Sequence, residues 1–194
     1  MYVPKHFEIT DKGEINSFIE ANAFGQLIST VGGRLFSTHL PVLLNDEGNH
    51  LLGHLARANP QWKDIEEQEV MITLQGPHDY ISPSWYHSPG VPTWNYQTVH
   101  IYGNCHVFED ATKLKQVVDK LTEKFESAFE EPWKLTYKAS MLQGIVGIEV
   151  EITEIQCKYK LSQNRSREDQ TKVTKLLQET GSRELALAMN TNAN

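Results

Sequence analysis

Apolar positions near the start of the chain recur at helical spacing. Ile15, Phe18 and Ile19 fall on one face of a helix, and Asp11 with Glu14 forms a plausible capping pair at its start. From residue 24 onward apolar and polar residues alternate, which is typical of half-buried strands. The pattern therefore predicts one short helix followed by a series of strands.

Turn signals separate the first strands of this series. Gly32-Gly33 lies between FGQLISTV and RLFSTHLPVLL and supplies the positive φ angles that a tight hairpin requires. NDEGN forms the next turn, and HLLGHLAR is the third strand. Asn59 is then expected to cap a short helix that begins at Pro60, where a missing N–H costs nothing. EVMITLQG predicts a fourth strand.

The second half of the chain predicts two further strands and more helices. A loop rich in proline and aromatic residues is expected over residues 77–95, before the strand YQTVHIYGNCHVFE. Helical periodicity covers residues 110–129, and a shorter helix is expected over residues 132–144. IVGIEVEITEIQCKYKLS is the last strand, and two helices are expected after it.

This order of elements indicates the fold class. About six strands joined mostly by hairpins, with helices inserted late and at the ends, predict an α+β protein dominated by an antiparallel β-barrel with added helices. The regular alternation of strands and helices in a doubly wound sheet is absent. We expect a barrel domain over residues 1–165 and a helical extension over residues 166–194.

Composition narrows the classes of partner and the compartment. The 194 residues carry a formal net charge of −7, which gives no general attraction to nucleic-acid phosphates or anionic lipids. Cys105 and Cys157 lie in apolar contexts and are expected to be buried free thiols in a reducing compartment. The N-terminal sequence lacks a leader pattern, and no window approaches the ~18 apolar residues of a membrane span. We therefore expect a cytoplasmic protein without a membrane anchor.

The stretch HLARANPQW indicates a possible anion site. Arg57 ends a predicted strand and Asn59 starts a helix, so a guanidinium and free backbone N–H groups could meet a phosphate. Further polar side chains on the first hairpin could lie alongside in a small barrel: Ser29, Thr30, Ser37, Thr38 and His39. Alternatively, Arg57 is a solvated or salt-bridged residue at the end of its strand.

Two other segments carry candidate binding residues. DYISPSWYHSPGVPTWNY places Trp85 and Trp94 among prolines, and such aromatic residues suit stacking on a planar ring or packing in a subunit interface. YKLSQNRS clusters Lys160, Gln163 and Asn164 where the last strand ends. Part of this second cluster would alternatively consist of ordinary turn and capping residues.

Several classes of site lack their motifs. The sequence has no G-x-x-x-x-G-K-[ST] loop for nucleoside triphosphates, no G-x-G-x-x-G after a strand and no G-x-S-x-G elbow. The eight histidines do not form H-E-x-x-H or a Cys/His pair at zinc-ligand spacing. We therefore expect no metal site, and the motifs identify no catalytic residue.

Four motifs in order resemble a known family. HLARANPQW, VMITLQGPHDYISPSWY, VPTWNYQTVHIYG and KLSQNRS together look like the bacterial PaiB family of FMN-binding proteins, named for negative regulation of protease synthesis and sporulation. The resemblance runs over nearly the whole chain. It implies a split β-barrel of the flavin-reductase and pyridoxamine-phosphate-oxidase type, and a homodimer with FMN in a cleft between subunits.

The same resemblance implies roles for the candidate residues. Arg57 and the helix start at Asn59 would hold the FMN phosphate, helped by Ser29, Thr30 or Lys160. Three residues would line the isoalloxazine ring: Ser37, Thr38 and His39. Trp85 and Trp94 would close the site, one of them from the partner subunit.

Three functions remain open at this point. The resemblance favours a transcriptional regulator, and the terminal helix pair has the outline of a helix-turn-helix but few side chains suited to reading bases. The second is an oxidoreductase using FMN and NAD(P)H, which needs no catalytic triad because flavin supplies the electron chemistry. The third is a haem-binding relative of the barrel, with His39 or His87 as axial ligand.

Overall fold

The structure, a computed structural model, describes residues 1–192. Its strands are β1 (Glu8–Ile9), β2 (Phe24–Val31), β3 (Arg34–Pro41), β4 (Leu43–Leu44), β5 (His50–Ala56), β6 (Glu69–Ile81), β7 (Thr93–Phe108) and β8 (Ile145–Lys160). Its α-helices are α1 (Lys12–Ala21), α2 (Ala111–Glu126), α3 (Arg167–Thr180) and α4 (Arg183–Thr191). Short 3-10 helices span Lys5–Phe7, Pro60–Lys63, Pro83–Trp85 and Ala139–Gly144.

The strands form one sheet in the order β3-β2-β6-β7-β8-β5-β4, with β1 paired to β8. The registered strand pairs are antiparallel, and Leu27 of β2 stands opposite Thr38 of β3 and Ile72 of β6. Consecutive strands pair at β2-β3, β4-β5, β6-β7 and β7-β8, as the alternating pattern and the turn residues predict, whereas the β2-β6, β5-β8 and β1-β8 pairs join strands far apart along the chain. The fold class, a β-dominated antiparallel split barrel with added helices, is confirmed.

The chain divides into two compact units. Unit one contains residues 1–15, 75–99 and 156–192, and unit two contains residues 16–74 and 100–155. The boundary expected between residues 165 and 166 stays a prediction. Within residues 1–192, no helix combines the length and the hydropathy required to cross a bilayer.

The core of unit two is formed by inward positions of its strands. Leu27, Ile72 and Leu74 are fully buried, and Leu55 and Ile148 are nearly so. The predicted hairpin is confirmed, since Gly32 and Gly33 have φ of 56° and 78°. Helix α2 begins at the cap Asp110, whose carboxylate accepts from the Lys113 N–H, and it packs Val117 and Leu121 on Leu43.

Unit one is built around the helix pair α3 and α4. Buried apolar side chains line their contact, namely Val173, Leu177, Leu185 and Ala186. Ser166 caps α3, accepting from the Asp169 N–H, and Gly181 ends it with φ of 100°. A left-handed residue at this place satisfies the last carbonyls of a helix, and glycine adopts that conformation without steric cost.

Both cysteines are free and buried, as predicted. Burial, and after it the charge of Glu66, raise the pKa of Cys105 to about 12. Burial likewise raises the pKa of Cys157 to about 12. Thiols with such pKa values are poor nucleophiles at neutral pH.

Two boundaries predicted from the sequence are wrong. β6 runs to Ile81 and β7 starts at Thr93, so the loop predicted over residues 77–95 covers only residues 82–92. Ile81 is fully buried, and this burial holds the strand beyond the proline at which the prediction ended it.

The helix predicted over residues 132–144 is also wrong. Only Ala139–Gly144 is helical, as a 3-10 helix, and residues 127–136 are exposed without regular structure. Trp133 and Leu135 are 49% and 36% exposed. Since these apolar side chains have no buried surface to pack against, a helix here would lack its main source of stability.

Candidate functional site

Unit one contains a pocket of about 400 Å³. Five residues from β6 and β7 line it: Gln75, His78, Trp94, Tyr96 and Thr98. The volume lies in the range of roughly 300–1,000 Å³ that small-molecule sites occupy. The lining offers aromatic faces, an amide, an imidazole and hydroxyls, but no formally charged side chain.

Trp94 is the largest side chain that lines this pocket. It is 53% exposed, and its ring lies 6.2 Å from Tyr80 in an edge-on arrangement and 6.4 Å from His78. A large exposed aromatic face held by neighbouring rings is suited to stacking on a planar ligand. The backbone of Trp94 is fixed as well, because its carbonyl accepts a hydrogen bond of 2.7 Å from Lys160 Nζ.

Three cations lie together beside this pocket, and we call Lys158, Lys160 and Arg165 the cation cluster. Burial lowers the pKa of Lys160, and the charges of Lys158 and Arg165 lower it further. Lys158 is only 8% exposed, and its ammonium lies 5.3 Å from the centre of the Tyr96 ring. Among residues 1–192, no member of the cluster forms a salt bridge.

The other hydrogen bonds of the cluster go to neutral groups. Lys158 donates to the Tyr2 carbonyl at 3.0 Å, and Lys160 donates to the Thr93 hydroxyl. Arg165 lies 4.3 Å from the centre of the Tyr86 ring. Burying cations without counter-ions is costly, so the cluster is an electrostatically favourable place for an anion.

The loop over residues 82–92, which carries Trp85, is tied to the start of α3. Asp169, 1% exposed, accepts hydrogen bonds from the His87 N–H at 2.7 Å and the Ser88 hydroxyl at 2.8 Å. The His87 backbone bond and then the Ser88 bond lower the pKa of Asp169. Trp85 itself is half-buried in the 3-10 helix Pro83–Trp85.

The remaining candidates of unit one lie in the turn after β8. Gln163 accepts from the Leu161 N–H at 2.7 Å and donates to the Tyr159 carbonyl at 2.6 Å, so it closes this turn. Asn164 is exposed. Gln163 therefore acts as a turn residue, which is the alternative that the sequence left open. The binding roles of Gln163 and Asn164 stay predictions.

In unit two, the guanidinium of Arg57 is engaged within the chain. Nη1 forms a salt bridge of 2.6 Å with Glu109, Nε donates to the Gln143 carbonyl at 2.7 Å and Nη2 donates to the Ile145 carbonyl at 3.1 Å. The salt-bridged alternative is the arrangement observed. Phosphate binding by Arg57 stays a prediction, and a phosphate would have to compete with Glu109.

Part of the predicted hydroxyl set comes together around a buried glutamine. Asn59 caps the short helix and donates to the Thr38 hydroxyl at 2.8 Å. Gln61, fully buried, donates to the Ser29 hydroxyl at 2.8 Å and to the Leu27 carbonyl at 3.2 Å. Within the described chain, its Oε1 has no hydrogen-bond partner.

The rest of that set lies on the opposite face of the same hairpin. Thr30, Ser37 and His39 are exposed, and their positions alternate with those of Ser29 and Thr38. The His39 ring stacks on Phe24, with ring centres 6.2 Å apart. The structure therefore separates three predicted residues from the group around Gln61.

Sequence reasoning missed several members of the pocket and its cation cluster. Gln75, His78, Thr98 and Lys158 were not singled out as candidates. Tyr96 and Thr98 share one face of a strand, and so do Lys158 and Lys160, because each pair is two residues apart. That alternation was the available signal, but it does not show which strands are neighbours. Among residues 1–192, no group of three or more His, Cys, Asp and Glu side chains could hold a metal ion.

Comparison with known proteins identifies the family. Residues 1–154 match the family described as "Putative FMN-binding domain". The chain is 42% identical over 186 residues to the Bacillus subtilis protein named Protease synthase and sporulation protein PAI 2, with 92% of this chain and 89% of that protein covered.

Two solved structures are similar in fold. The flavocytochrome Anf3 from Azotobacter vinelandii has a TM-score of 0.66 at 15% identity, over 88% of this chain and 78% of that one. The FAD and haem binding protein from Mycobacterium smegmatis has a TM-score of 0.62 at 12% identity, over 84% of this chain and 78% of that one. Both likenesses support the split-barrel fold.

The family match covers most of the chain, and the Bacillus subtilis relative matches nearly the full length. The prediction of FMN as the cofactor is confirmed at the level of this family. The chain belongs to the PaiB family of FMN-binding split-barrel proteins.

Proposed function

We propose that the protein binds FMN through the unit-one pocket and the cation cluster, and that it acts as a flavin-dependent regulator. The observation that carries this proposal is the juxtaposition of an uncharged aromatic pocket with three uncompensated cations. Tyr96 links the two features, because it lines the pocket and lies under the ammonium of Lys158. FMN has the matching division into a planar polar ring and a phosphate.

The pocket fits the ring by its chemistry. Trp94 offers an exposed face, and the Gln75 amide offers both a donor and an acceptor to the polar edge of a heterocycle. The absence of charge from the lining suits a neutral ring. These features support the assignment of Trp94 to the ring, the role that the sequence gave it.

The cation cluster fits the phosphate. Lys160 is the member that the sequence singled out, and its lowered pKa marks it as a cation destabilised by its surroundings. A dianion would offset the mutual repulsion of the three cations and favour the charged form of Lys160. When bound, FMN supplies electron-transfer chemistry, and this chain's residues bind it, orient it and set its electrostatic surroundings.

The unit-two candidates have less support as phosphate ligands. Arg57 already bonds Glu109 and two backbone carbonyls, whereas Lys160 bonds neutral groups. Lys160, whose charge is not balanced by a carboxylate within the described residues, is therefore the stronger candidate for binding the phosphate. We therefore propose Lys160, rather than Arg57, as the principal phosphate ligand.

A homodimer is part of the proposal. Glu69, at the start of β6, is the charged outward position of the paired strands β2, β3 and β6 in unit two. The other outward positions contain no Asp, Glu, Lys or Arg: Phe24, Gln26, Ile28, Thr30, Leu35, Ser37, His39, Pro41, Met71 and Thr73. Depletion of charge is the compositional mark of an interface core. We propose this outer wall as the surface that meets a second copy.

Ile28→Lys should give a monomer by sedimentation, whereas Leu187→Lys, at a 66% exposed site on α4, should not.

Regulation is supported by the relative rather than by a DNA-reading surface. The Bacillus subtilis protein carries a name that refers to protease synthesis and sporulation. The present chain has a net charge of −7, which disfavours binding to a phosphate backbone. We therefore propose control of the same processes through the flavin state. DNA contact by α3 and α4 is the alternative and stays a prediction.

An oxidoreductase is the second candidate, because the pocket is open. Gln75, His78 and Trp94 are all exposed, so a ring bound there would stay accessible to an electron donor. Consumption of NAD(P)H that depends on added FMN would favour this function. Oxidised flavin that persists under excess NAD(P)H would count against it.

The proposed binding mode is tested with two flavins that differ only in the phosphate. Apo protein is titrated with FMN and with riboflavin while tryptophan and flavin fluorescence are followed. Lys160→Met should weaken FMN binding roughly ten- to hundred-fold, the scale of a lost charge-assisted hydrogen bond of ~1.5–3 kcal/mol, and leave riboflavin binding nearly unchanged.

Lys175→Met is the matched control, since Lys175 is an exposed α3 lysine that forms a salt bridge with Glu179. Its affinities for both flavins should equal those of the wild type. Equal weakening of FMN and riboflavin by Lys160→Met would remove Lys160 from the phosphate site. A wild-type protein that bound neither flavin would overturn the proposed function.

A further inference from the structure

We propose that His78 is the residue that recognises the polar edge of the ring, accepting a hydrogen bond from a ring N–H at its Nε2. The inference rests on the proposed function, because it concerns the same pocket. It adds a specificity determinant that neither the motifs nor the family match assigns. The argument depends on which nitrogen of the imidazole is already used.

The hydrogen bond of His78 to its own strand fixes the tautomer. Its Nδ1 lies 3.0 Å from the carbonyl oxygen of Gly76. A carbonyl oxygen only accepts, so Nδ1 must carry the proton that it donates. In the neutral imidazole the other nitrogen, Nε2, is then a bare acceptor.

Nothing else in the described chain uses that acceptor. Across residues 1–192, the polar contact of His78 is the one to Gly76, and its other contact is with the Trp94 ring at 6.4 Å. The ring is exposed and lines the pocket. An acceptor beside a stacking surface, with its tautomer set by the backbone, is preorganised to receive a donor from a ligand.

The charged neighbour of His78 is occupied elsewhere. The Asp79 carboxylate accepts from the Tyr80 N–H at 2.7 Å and from the Ser182 hydroxyl. The other pocket side chains on β6 and β7 carry no formal charge. His78 therefore offers the ligand a neutral acceptor rather than one member of an ion pair.

Other histidines of the chain have different surroundings. His87 pairs with Glu168 and His106 pairs with Glu66, while His39 stacks on Phe24. His78 alone among the eight contributes to the lining of the pocket. The juxtaposition of the Gly76-bonded imidazole with Trp94 is thus specific to this position.

The test uses the single N–H of the oxidised flavin ring system. Wild-type protein and His78→Phe, which keeps an aromatic ring against Trp94 but has no acceptor, are titrated with FMN and with N3-methyl FMN. Wild type should prefer FMN by roughly two- to tenfold, the range of one net hydrogen bond. His78→Phe should lose most of that preference, and His78→Gln, which restores an acceptor, should recover part of it.

Equal preference in wild type and His78→Phe would overturn the inference and leave the proposed function standing, because both proteins would still bind FMN. A wild type that bound neither compound would overturn both. Nitrogen NMR of uniformly labelled apo wild type supplies a reading without any substitution. At alkaline pH the proton of His78 should reside on Nδ1, and FMN should shift the Nε2 resonance. A proton on Nε2 would overturn the inference.

Discussion

Replacing Arg57 with methionine separates a structural role for this residue from a role in phosphate binding. Methionine retains much of the apolar stem while removing all three donor groups that the structure shows to be engaged. The salt bridge to Glu109 joins side chains that are 38% and 56% exposed, so its loss should cost about 0.2–1 kcal/mol.

The two backbone hydrogen bonds contribute the larger share. Arg57 donates to the carbonyls of Gln143 and Ile145, which lie 86 and 88 residues away along the chain. At about 0.5–1.5 kcal/mol for each bond, their loss brings the expected total to about 1–4 kcal/mol of unfolding free energy. Urea denaturation followed by tryptophan fluorescence measures this change as a lower midpoint with an unaltered slope.

Flavin binding supplies the second measurement on this variant. If Arg57 holds the segment over residues 143–145, the folded Arg57→Met protein should keep the wild-type ratio of FMN to riboflavin affinity. Glu109→Gln, which removes only the salt-bridge partner, should cost no more than about 1 kcal/mol. Unchanged stability together with a selective loss of FMN affinity would refute this reasoning and restore Arg57 as the phosphate ligand.

Two further predictions follow from single contacts. Gly103→Ala should lower the unfolding free energy by about 1–3 kcal/mol, because the added Cβ would lie within 3.0 Å of the Glu151 carbonyl oxygen. Gly144→Ala is the control and should not lower the unfolding free energy, because its Cβ would lie in open space. Thermal unfolding measures both variants. Asp169 has a pKa held below its unfolded value of about 3.9, so its contribution to stability is fully present above that pH and is lost as the pH falls through the folded pKa. The protection of the His87 amide, taken as its exchange rate relative to that of an unfolded peptide at the same pH, should therefore fall on acidification in the wild type, and Asp169→Asn should already show lower protection at neutral pH. An Asp169→Asn protein with wild-type protection at neutral pH would contradict the second prediction.

The elements predicted most accurately are those whose signals are local. The caps at Asp11 and Asn59 accept from N–H groups three and two residues away, and the Gly32-Gly33 turn joins adjacent strands. Such interactions are encoded within a few residues, so composition and periodicity are enough to find them. The helix predicted over residues 132–144 failed because the apolar side chains in its first half, Trp133 and Leu135, are exposed rather than packed.

The sequence by itself determined the alternation of the strands, the hairpin and helix caps, and the motifs that indicate an FMN-binding family. It also supplied candidate binding residues, including Trp94 and Lys160. The tertiary structure decided which of these residues lie close together. Strand register placed Ser29 and Thr38 on one face and Thr30, Ser37 and His39 on the other.

The structure also gave Arg57 a partner 52 residues away in Glu109, and it left the cation cluster without a carboxylate among the described residues. The physical reason is that periodicity reports only whether a side chain faces inward or outward. The identity of its neighbour depends on which strands pair and in what register. Those pairings are set by contacts between residues far apart along the chain.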